Sequence, residues 1–227
     1  MKSYPVELLE EYPMLLENIG KFMQEMQVYR AAIKEMQTKL EILDSEFEVK
    51  YDYNPIHHIE SRLKSPESIV GKLKKDGHTV SIDSMLEHLN DIAGLRVICH
   101  YIDDVQKIAE MLISQDDVAL IHKKDYIAHP KENGYRSLHL VLAIPIFLSG
   151  GKRTVRVEVQ IRTIAMDLWA SLEHDLHYKG SENLSADLAD RLKACAETLQ
   201  SIDGEMQEIY REIKGITEYS KVHYIIH

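Results

Sequence analysis

The sequence predicts an α+β fold in which a mixed β-sheet core is flanked by N- and C-terminal helices. Apolar residues recur at intervals of three, four or seven near both ends of the chain, and this spacing places side chains on one face of a helix. The middle of the chain is rich in β-branched residues instead, and one stretch alternates strictly between apolar and polar side chains. With 227 residues, the chain is long enough for one substantial domain with its own core.

The N-terminal part is predicted to be helical from about residue 6 to about residue 48. Pro13 marks a break in this region or the first turn of its second helix. The stretch YNPIHH (53–58) indicates a turn. The stretch SPESIVGKLKK (65–75) predicts a short basic helix with Pro66 at its first position, because proline is tolerated where the N–H would be unpaired anyway.

The predicted sheet is built from three strands in the middle of the chain. GLRVICHYI (94–102) is one, and the apolar spacing of the next stretch, DVQKIAEMLIS, predicts a helix. YRSLHLVLAIPIFL (135–148) and RTVRVEVQIR (153–162) are the others, joined at SGGK by a tight hairpin. In the last strand one face carries Val155, Val157, Val159 and Ile161, and the opposite face carries Arg156, Glu158, Gln160 and Arg162.

The C-terminal part carries a heptad seam, which requires a partner helix. Its members are Leu188, Leu192, Cys195, Leu199, Ile202, Met206, Ile209, Ile213 and Ile216. Packing against the N-terminal helices of the same chain is the favoured interpretation, and oligomerisation is the alternative. We therefore expect a single domain with helices over 1–48, an α/β core over 49–180 and a C-terminal helical segment over 181–227.

Composition excludes several classes of protein. The net charge of −10 argues against general nucleic-acid binding driven by phosphate neutralisation, although a local basic pocket stays compatible with it. The longest apolar run, 138–148, is too short to span a bilayer, and the N-terminus lacks the apolar core of a signal peptide. Cys99 and Cys195 are interpreted as reduced core thiols, which indicates a cytoplasmic protein, and the shortness of the apolar run predicts no membrane segment.

Three short motifs resemble ligand sites and are discounted. SGGKRT resembles part of a phosphate-binding loop, but a strand follows it, whereas a phosphate loop leads into a helix. His174 and His177 lie one helical turn apart but have no third ligand at a fitting spacing. His57 and His58 are adjacent, so their side chains diverge. We interpret His174 and His177 as surface residues or as residues that support other side chains, and we expect no metal shared by His57 and His58.

Polar residues that suit a nucleotide form three sets. The first lies on or beside the basic helix, and its cations and hydroxyl suit a polyphosphate, although a solvated charged face is the alternative. It consists of Arg62, Lys64, Ser68, Lys72 and Lys75. The second is Asp91, placed before a strand where a carboxylate can hold a hard cation, with Arg96, which needs a partner or ligand within an apolar strand.

The third set lies on the two hairpin strands. Every second side chain of a strand lies on the same face, so Tyr135, Ser137 and His139 are predicted to share one face. Glu158 shares a face with Gln160 on the neighbouring strand. A tyrosine ring can stack on a base, nearby lysines and a histidine can hold phosphates, and glycine at 134 lets the backbone approach a ligand closely.

Four stretches together resemble the synthetase domain of the RelA/SpoT family over about residues 50 to 180. They are RLKSPESIVGK, DIAGLRVICHYIDDV, KDYIAHPKENGYRSLHLVL and VEVQIRTIAMDLWASLEHDLHYK. The resemblance is to the single-domain members, the small alarmone synthetases. It implies a nucleotidyltransferase-like core, with 49–180 as the catalytic part, and a homotetramer. It also implies Mg²⁺-dependent transfer of the pyrophosphate of ATP to the 3′-hydroxyl of GDP or GTP, releasing AMP, in the stringent response.

The resemblance also implies a role for each candidate residue. Arg62 and Arg96 would sandwich the adenine, and the ATP phosphates would be held by Lys64, Ser68, Lys72 and Lys75. Asp91 and Glu158 would bind Mg²⁺, with Glu158 also the general base. Tyr135 would stack on guanine, and the acceptor's phosphates would be held by Lys124, Lys131 and His139. Asp167 would lie at the guanine edge, with supporting roles for Asn133, Gln160 and Glu173.

Three other functions compete with this one. A nucleotidyltransferase would add a nucleotide in place of a pyrophosphate, and the product mass distinguishes the two. A catalytically silent regulator would bind guanine nucleotides or RNA, but the intact Asp91 and Glu158 argue against silence. A helical oligomerisation module would leave the polar strand faces unexplained. The choice among GDP, GTP and GMP stays open, as do product activation and inhibition by metal or RNA.

Overall fold

The computed structural model describes residues 19–179 and 185–215. Six helices and five strands lie within these ranges: α1 (Ile19–Tyr51), β1 (Ile56–Leu63), α2 (Pro66–Lys75), α3 (Ile82–His88), β2 (Ala93–Cys99), α4 (Ile102–Ile113), β3 (Ala119–Asp125), β4 (Leu138–Leu148), β5 (Gly151–Thr163), α5 (Ile164–Lys179) and α6 (Ala186–Ile213). The predicted start of the N-terminal helices and the break at Pro13 fall outside the described residues.

The five strands form one sheet, and the prediction of a mixed sheet is confirmed. Their order is β1-β2-β5-β4-β3, with β2 and β5 parallel and the other neighbouring pairs antiparallel. The alternation predicted for β5 is confirmed, because Val157, Val159 and Ile161 are fully buried on the core face. Helices α1 and α4 pack on the sheet, and their buried side chains join the same core cluster. The opposite face of the central strands is left for polar side chains.

The sequence interpretation missed three elements and set two boundaries wrongly. The predicted turn at 53–58 is wrong from residue 56 onward, because β1 begins there and pairs with β2. Strand β3 and helix α3 were not predicted. The strand expected over 94–102 ends at Cys99, since Asp104 accepts a hydrogen bond from the Tyr101 N–H (3.2 Å) and so starts α4.

The basic helix is confirmed at its predicted start. Ser65 is the N-cap of α2, its side-chain oxygen accepts a hydrogen bond from the Ser68 N–H, and Pro66 follows at the first helical position. The strand expected from residue 135 begins instead at Leu138, so Tyr135 and Ser137 precede β4. Ser137 is fully buried and does not share a ligand-facing strand surface with His139; that part of the prediction is wrong.

The C-terminal helix buries a different face from the predicted heptad seam. The buried residues of α6 are Ala196, Asp203 and Gln207, and the helix packs mainly on α5 and α4. Exposed seam members include Leu188, Ile202, Met206, Ile209 and Ile213. Packing of the seam on the N-terminal helices is therefore wrong for the described residues, and Ile216 lies outside them. Cys99 is buried as expected, but Cys195 is exposed and is not a core thiol.

Within the described residues, no helix is both long and apolar enough to cross a membrane.

Candidate functional site

The polar face of the sheet centres on Glu158 in the middle of β5. The β-ladder places Glu158 beside Gly94 of β2 and Val141 of β4, and Gln160 beside Arg96 and His139. Glu158 and Gln160 share this face, as the alternation predicted, and the Gln160 Nε2 donates a hydrogen bond to Glu158 Oε2 (2.9 Å). Polar residues from three chain segments therefore meet on three adjacent strands.

One side of this face is organised around Asp91, which lies just before β2. Lys64, directly after β1, is 8% exposed, and its Nζ donates a hydrogen bond to Asp91 Oδ2 at 2.6 Å. The Nζ of Lys72 from α2 reaches the same oxygen at 2.9 Å. Burial raises the pKa of Asp91, but the hydrogen bonds from the two lysines outweigh it and hold the pKa below its ordinary value. Asp91 is therefore ionised at neutral pH.

The candidate phosphate ligands follow α2 as a stripe. Ser68 lies in the first turn, Lys72 one turn later and Lys75 at the end of the helix. The Ser68 hydroxyl and Lys75 thus lie at opposite ends of α2, so these residues do not form a single cluster at the helix N-terminus. Among the described residues, Arg62 on β1 and Lys75 are exposed and form no ion pair, so both cations are available to an anionic ligand.

Asp91 and Glu158 lie close enough for the Asp91 charge to raise the pKa of Glu158. Burial raises the pKa of Glu158, but the His139 imidazole (Nδ1 3.6 Å from Oε1) and the hydrogen bond from Gln160 together outweigh burial, so the net pKa is below the ordinary value. The Oδ1 atom of Asp91 is buried and has no hydrogen-bond partner in the described part of the chain. Two ionised carboxylates with an unused oxygen fit Mg²⁺, which takes one or two protein carboxylates and completes its shell with water and phosphate.

Tyr135 dominates the other side of the polar face. Its Oη lies 2.8 Å from His139 Nε2 and accepts a hydrogen bond from Arg162 Nη2 at 2.6 Å. Two cations lie near its ring, with Lys131 Nζ at 4.7 Å and Arg162 Cζ at 5.2 Å from the centroid. Tyr126 packs edge-on at 6.0 Å. The hydroxyl of Tyr135 is thus held by hydrogen bonds, and Lys131 and Arg162 beside the ring can bind the phosphates of a nucleotide.

Arg162 joins the candidate residues of this side, and the sequence interpretation gave it no role. It is only 4% exposed and donates hydrogen bonds to the side-chain oxygens of Tyr135, Gln160, Ser137 and Asp167. The alternation of β5 had already placed it on the polar face. A buried arginine requires several acceptors, and only the folded chain shows that the loop before β4, strand β5 and helix α5 all supply them.

The two sides meet at Asp167 in the first turn of α5. Asp167 Oδ1 accepts a hydrogen bond from Arg162 (3.2 Å) and lies 3.8 Å from Arg96 Nε. Arg96 also pairs with Glu60 of β1 at 2.9 Å, which meets the prediction that an arginine in this strand needs a partner. Glu60 is a further residue that the sequence interpretation missed, because β1 was not recognised as a strand.

The remaining candidates lie around Tyr135. Lys124 is exposed on β3 and pairs in register with His139. Asn133 accepts a hydrogen bond from the Tyr135 N–H (3.1 Å), and its Nδ2 donates to Glu173 of α5 at 3.4 Å. Among the described residues, no cluster of three or more His, Cys, Asp or Glu side chains suits a metal, including around His57, His58 and His174. The side chain of His177 is outside the described residues.

This arrangement agrees with a family relationship. The family model described as "Region found in RelA / SpoT proteins" matches residues 61–183, more than half of the chain. The chain belongs to the RelA/SpoT family. It is 43% identical to the GTP pyrophosphokinase YwaC of Bacillus subtilis over 189 residues, covering 83% of this chain and 90% of that protein.

Solved structures of RelA/SpoT-family proteins show the same fold. Small alarmone synthetase 1 from Bacillus subtilis, bound to its product pppGpp, is 37% identical, with a TM-score of 0.78 over 85% of this chain and 98% of that chain. The same synthetase bound to AMPCPP gives a TM-score of 0.73 at 34% identity, over 86% of this chain and 99% of that one. The α+β fold with a mixed sheet and flanking helices is therefore that of the small alarmone synthetases.

Proposed function

We propose that this RelA/SpoT-family chain is a (p)ppGpp synthetase. It transfers the pyrophosphate of ATP to the 3′-hydroxyl of GDP or GTP, and it yields ppGpp or pppGpp and AMP in the stringent response. The observation that carries the proposal is the placement of Asp91 and Glu158 between a lysine-bearing side and a tyrosine-bearing side of one sheet face. The pppGpp and the AMPCPP bound in two structures of a relative support a site for guanine and adenine nucleotides in this chain.

We assign ATP to the side of the face around α2. Arg62 and Arg96 would enclose the adenine, since guanidinium planes stack on aromatic rings. The phosphates would meet Lys64, Ser68, Lys72 and Lys75. Both lysines that pair with Asp91 would then exchange part of that contact for phosphate oxygens.

We assign GDP or GTP to the side around Tyr135. The tyrosine ring would stack on guanine, and the acceptor's phosphates would meet Lys124, Lys131 and His139. Asp167 would accept hydrogen bonds from the guanine edge, with Asn133, Gln160 and Glu173 supporting the loop and the strand around it.

The chemistry is an in-line attack of the acceptor 3′-oxygen on the β-phosphorus of ATP. The new O–Pβ bond forms as the bond between Pβ and the bridging oxygen to Pα breaks, and AMP leaves. Glu158 accepts the proton of the 3′-hydroxyl, and its lowered pKa keeps it ionised for this role at neutral pH. Asp91 and Glu158 would hold Mg²⁺, which when bound neutralises charge on the phosphates. The chain's remaining task is to align the two nucleotides.

We propose that the enzyme assembles as a homotetramer in the cytoplasm. The exposed apolar side chains of α6, including Ile202, Met206, Ile209 and Ile213, suit helix-to-helix contact between copies. Light scattering should give the mass of a tetramer, and Met206→Glu should lower it without loss of the folded state. A monomer at micromolar concentration would disprove the assembly. We propose no membrane partner and no general nucleic-acid binding, while regulation by RNA stays possible.

The activity is tested by incubating the purified chain with Mg²⁺, labelled ATP and GDP, and by identifying the products by mass. AMP together with guanosine 5′-diphosphate 3′-diphosphate is the expected result. A product that is heavier than GDP by a whole nucleotide would establish nucleotidyl transfer instead. If no product forms, the remaining function is that of a nucleotide-binding regulator.

A further inference from the structure

The loop that carries Tyr135 rests directly on the C-terminal helix. Gly134 has a φ of +89°, and a Cβ built on it would lie 2.6 Å from the Cβ of Ala196 and 3.7 Å from the Cα of Lys193, both on α6. A side chain at position 134 would therefore collide with α6. We propose, on the basis of the function above, that α6 is part of the acceptor site and that Ala196 and Asp203 are positioning residues for the guanine nucleotide.

A buried polar cluster forms the second link between the same loop and α6. Arg136, the residue after Tyr135, is 9% exposed, and Asp203 of α6 is 7% exposed. Both residues line one cavity between the loop and α6, and the Asp203 charge opposes the lowering of the Arg136 pKa by burial. Thr163, at the end of β5, donates its hydroxyl hydrogen to Asp203 Oδ2 at 2.7 Å. Asp203 thus holds the strand that carries Glu158 and lines one cavity with Gly134 and Arg136 of the acceptor loop.

Apolar packing forms the third link. Tyr135 packs against a small cluster of Trp169, Ala170 and Ala196, separate from the main core. The Trp169 indole N–H donates to the carbonyl of Leu192 on α6 at 2.9 Å. Helix α6 therefore forms part of the surface that supports the Tyr135 ring, on which the guanine is proposed to stack. This helix begins at Ala186, after the end of the family match at residue 183.

The other end of α6 is anchored independently. Arg211 forms a bidentate pair with Asp103 of α4, with a shortest distance of 2.7 Å, and Gln207 Oε1 accepts a hydrogen bond from the Asp103 N–H at 2.9 Å. A change at Ala196 or Asp203 should therefore move the loop without releasing the helix. The proposed ATP side is held by contacts among Lys64, Lys72 and Asp91. A positioning role should consequently affect the acceptor and spare ATP.

The first experiment enlarges the contact between helix and loop. Ala196→Val adds two methyl groups where Gly134 rests, and Ala194→Val makes the same change at an exposed position of α6 with the same helix-propensity cost. Small misplacements of a bound substrate are costly, up to about a hundredfold in rate for about 1 Å. We expect Ala196→Val to raise the KM for GDP by about five- to twentyfold relative to Ala194→Val. The KM for ATP should change by less than about twofold.

The second experiment removes a charge and keeps the shape. Asp203→Asn preserves side-chain size and can still accept the Thr163 hydrogen bond, and the exposed Asp190→Asn on the same helix is its matched control. We expect a raised KM for GDP with ATP spared, and weaker GDP binding by calorimetry in the presence of AMPCPP. This variant decides the question if Ala196→Val does not fold.

The outcomes distinguish a failure of the positioning role from a failure of the proposed function. Equal KM values for GDP in Asp203→Asn and Asp190→Asn would overturn the positioning role, as would a loss in kcat with both KM values unchanged, which indicates a smaller folded fraction. If the unmodified chain forms no 3′-pyrophosphorylated guanosine but binds GDP more tightly than Asp203→Asn does, the proposed function fails and the positioning role stands.

Discussion

The two sides of the sheet face are held together by different forces. On the proposed donor side, Lys64 and Lys72 converge on one carboxylate, Asp91, and all three lie within a short stretch of chain. On the proposed acceptor side, one buried arginine, Arg162, donates hydrogen bonds to side-chain oxygens of a loop, a strand and a helix. Ion pairs therefore hold the donor side together, whereas hydrogen bonds to a buried guanidinium fix the shape of the acceptor side. Changes to the charges that converge on Asp91 should therefore affect ATP most, and changes in the shape of the surface around Tyr135 should affect the acceptor most.

The largest effect is expected at Glu158, which lies between the two sides. Glu158→Gln should cut turnover by at least about a thousandfold, because it removes a metal ligand and a general base, and a base alone is worth about 10²–10⁴-fold. The exposed Glu110→Gln on α4 serves as the matched control. Steady-state kinetics with thermal melting measures both. More than about a tenth of the activity left in Glu158→Gln would refute the catalytic assignment.

Asp91→Asn should match that loss of turnover, at about a thousandfold or more, with one difference. It removes a ligand but no base, so excess Mg²⁺ should rescue part of its activity and none of that of Glu158→Gln. Equal rescue of the two variants would contradict the separate roles.

Tyr135→Ala should raise the KM for GDP by a factor of some tens and leave the KM for ATP nearly unchanged. Stacking of a base on an aromatic ring is worth about 1–3 kcal/mol. Tyr135→Phe keeps the ring but leaves Arg162 without one acceptor, so its main effect should be a lower melting temperature. If both substrates suffer equally in Tyr135→Ala, the ring is structural.

Arg162→Lys tests the shape of the acceptor side at constant charge. A lysine cannot serve the separate acceptors that the guanidinium reaches, so we expect the KM for GDP to rise by about tenfold. Lys72→Arg makes the reverse exchange on the donor side. It keeps the charge that faces Asp91 and should change either KM by less than about threefold. A larger effect in Lys72→Arg than in Arg162→Lys would reverse the comparison.

The smallest effect concerns the pH dependence of stability. The pKa of folded Asp91 lies below its ordinary 3.8, so its pairing with the lysines stabilises the fold above that pH. This contribution is lost as the pH falls through the lowered pKa. Asp91→Asn should therefore melt a few degrees below the unmodified chain at neutral pH, and the gap should close in acid. A gap that is constant with pH would mean that the ion pairs do not stabilise the fold.

Local patterns in the sequence were sufficient for much of the fold. Strict alternation identified β5 and its buried face, and the Ser65–Pro66 pair located the start of α2, because both signals act between near neighbours. Strand β1 was missed, since its residues look like a turn until β2 pairs with them. The α6 seam was assigned to the wrong contact, because periodicity gives the apolar face of a helix but not its partner.

The sequence by itself determined the mixed α+β architecture, the family and the types of residue at the candidate site. Only the tertiary structure decided that Arg162 and Arg136 are buried, that Glu60 faces Arg96, and that α6 supports the Tyr135 loop. The physical reason is the range of the interactions. Backbone propensity and alternation act over a few residues, whereas a buried charge is stable only where distant segments bring it acceptors.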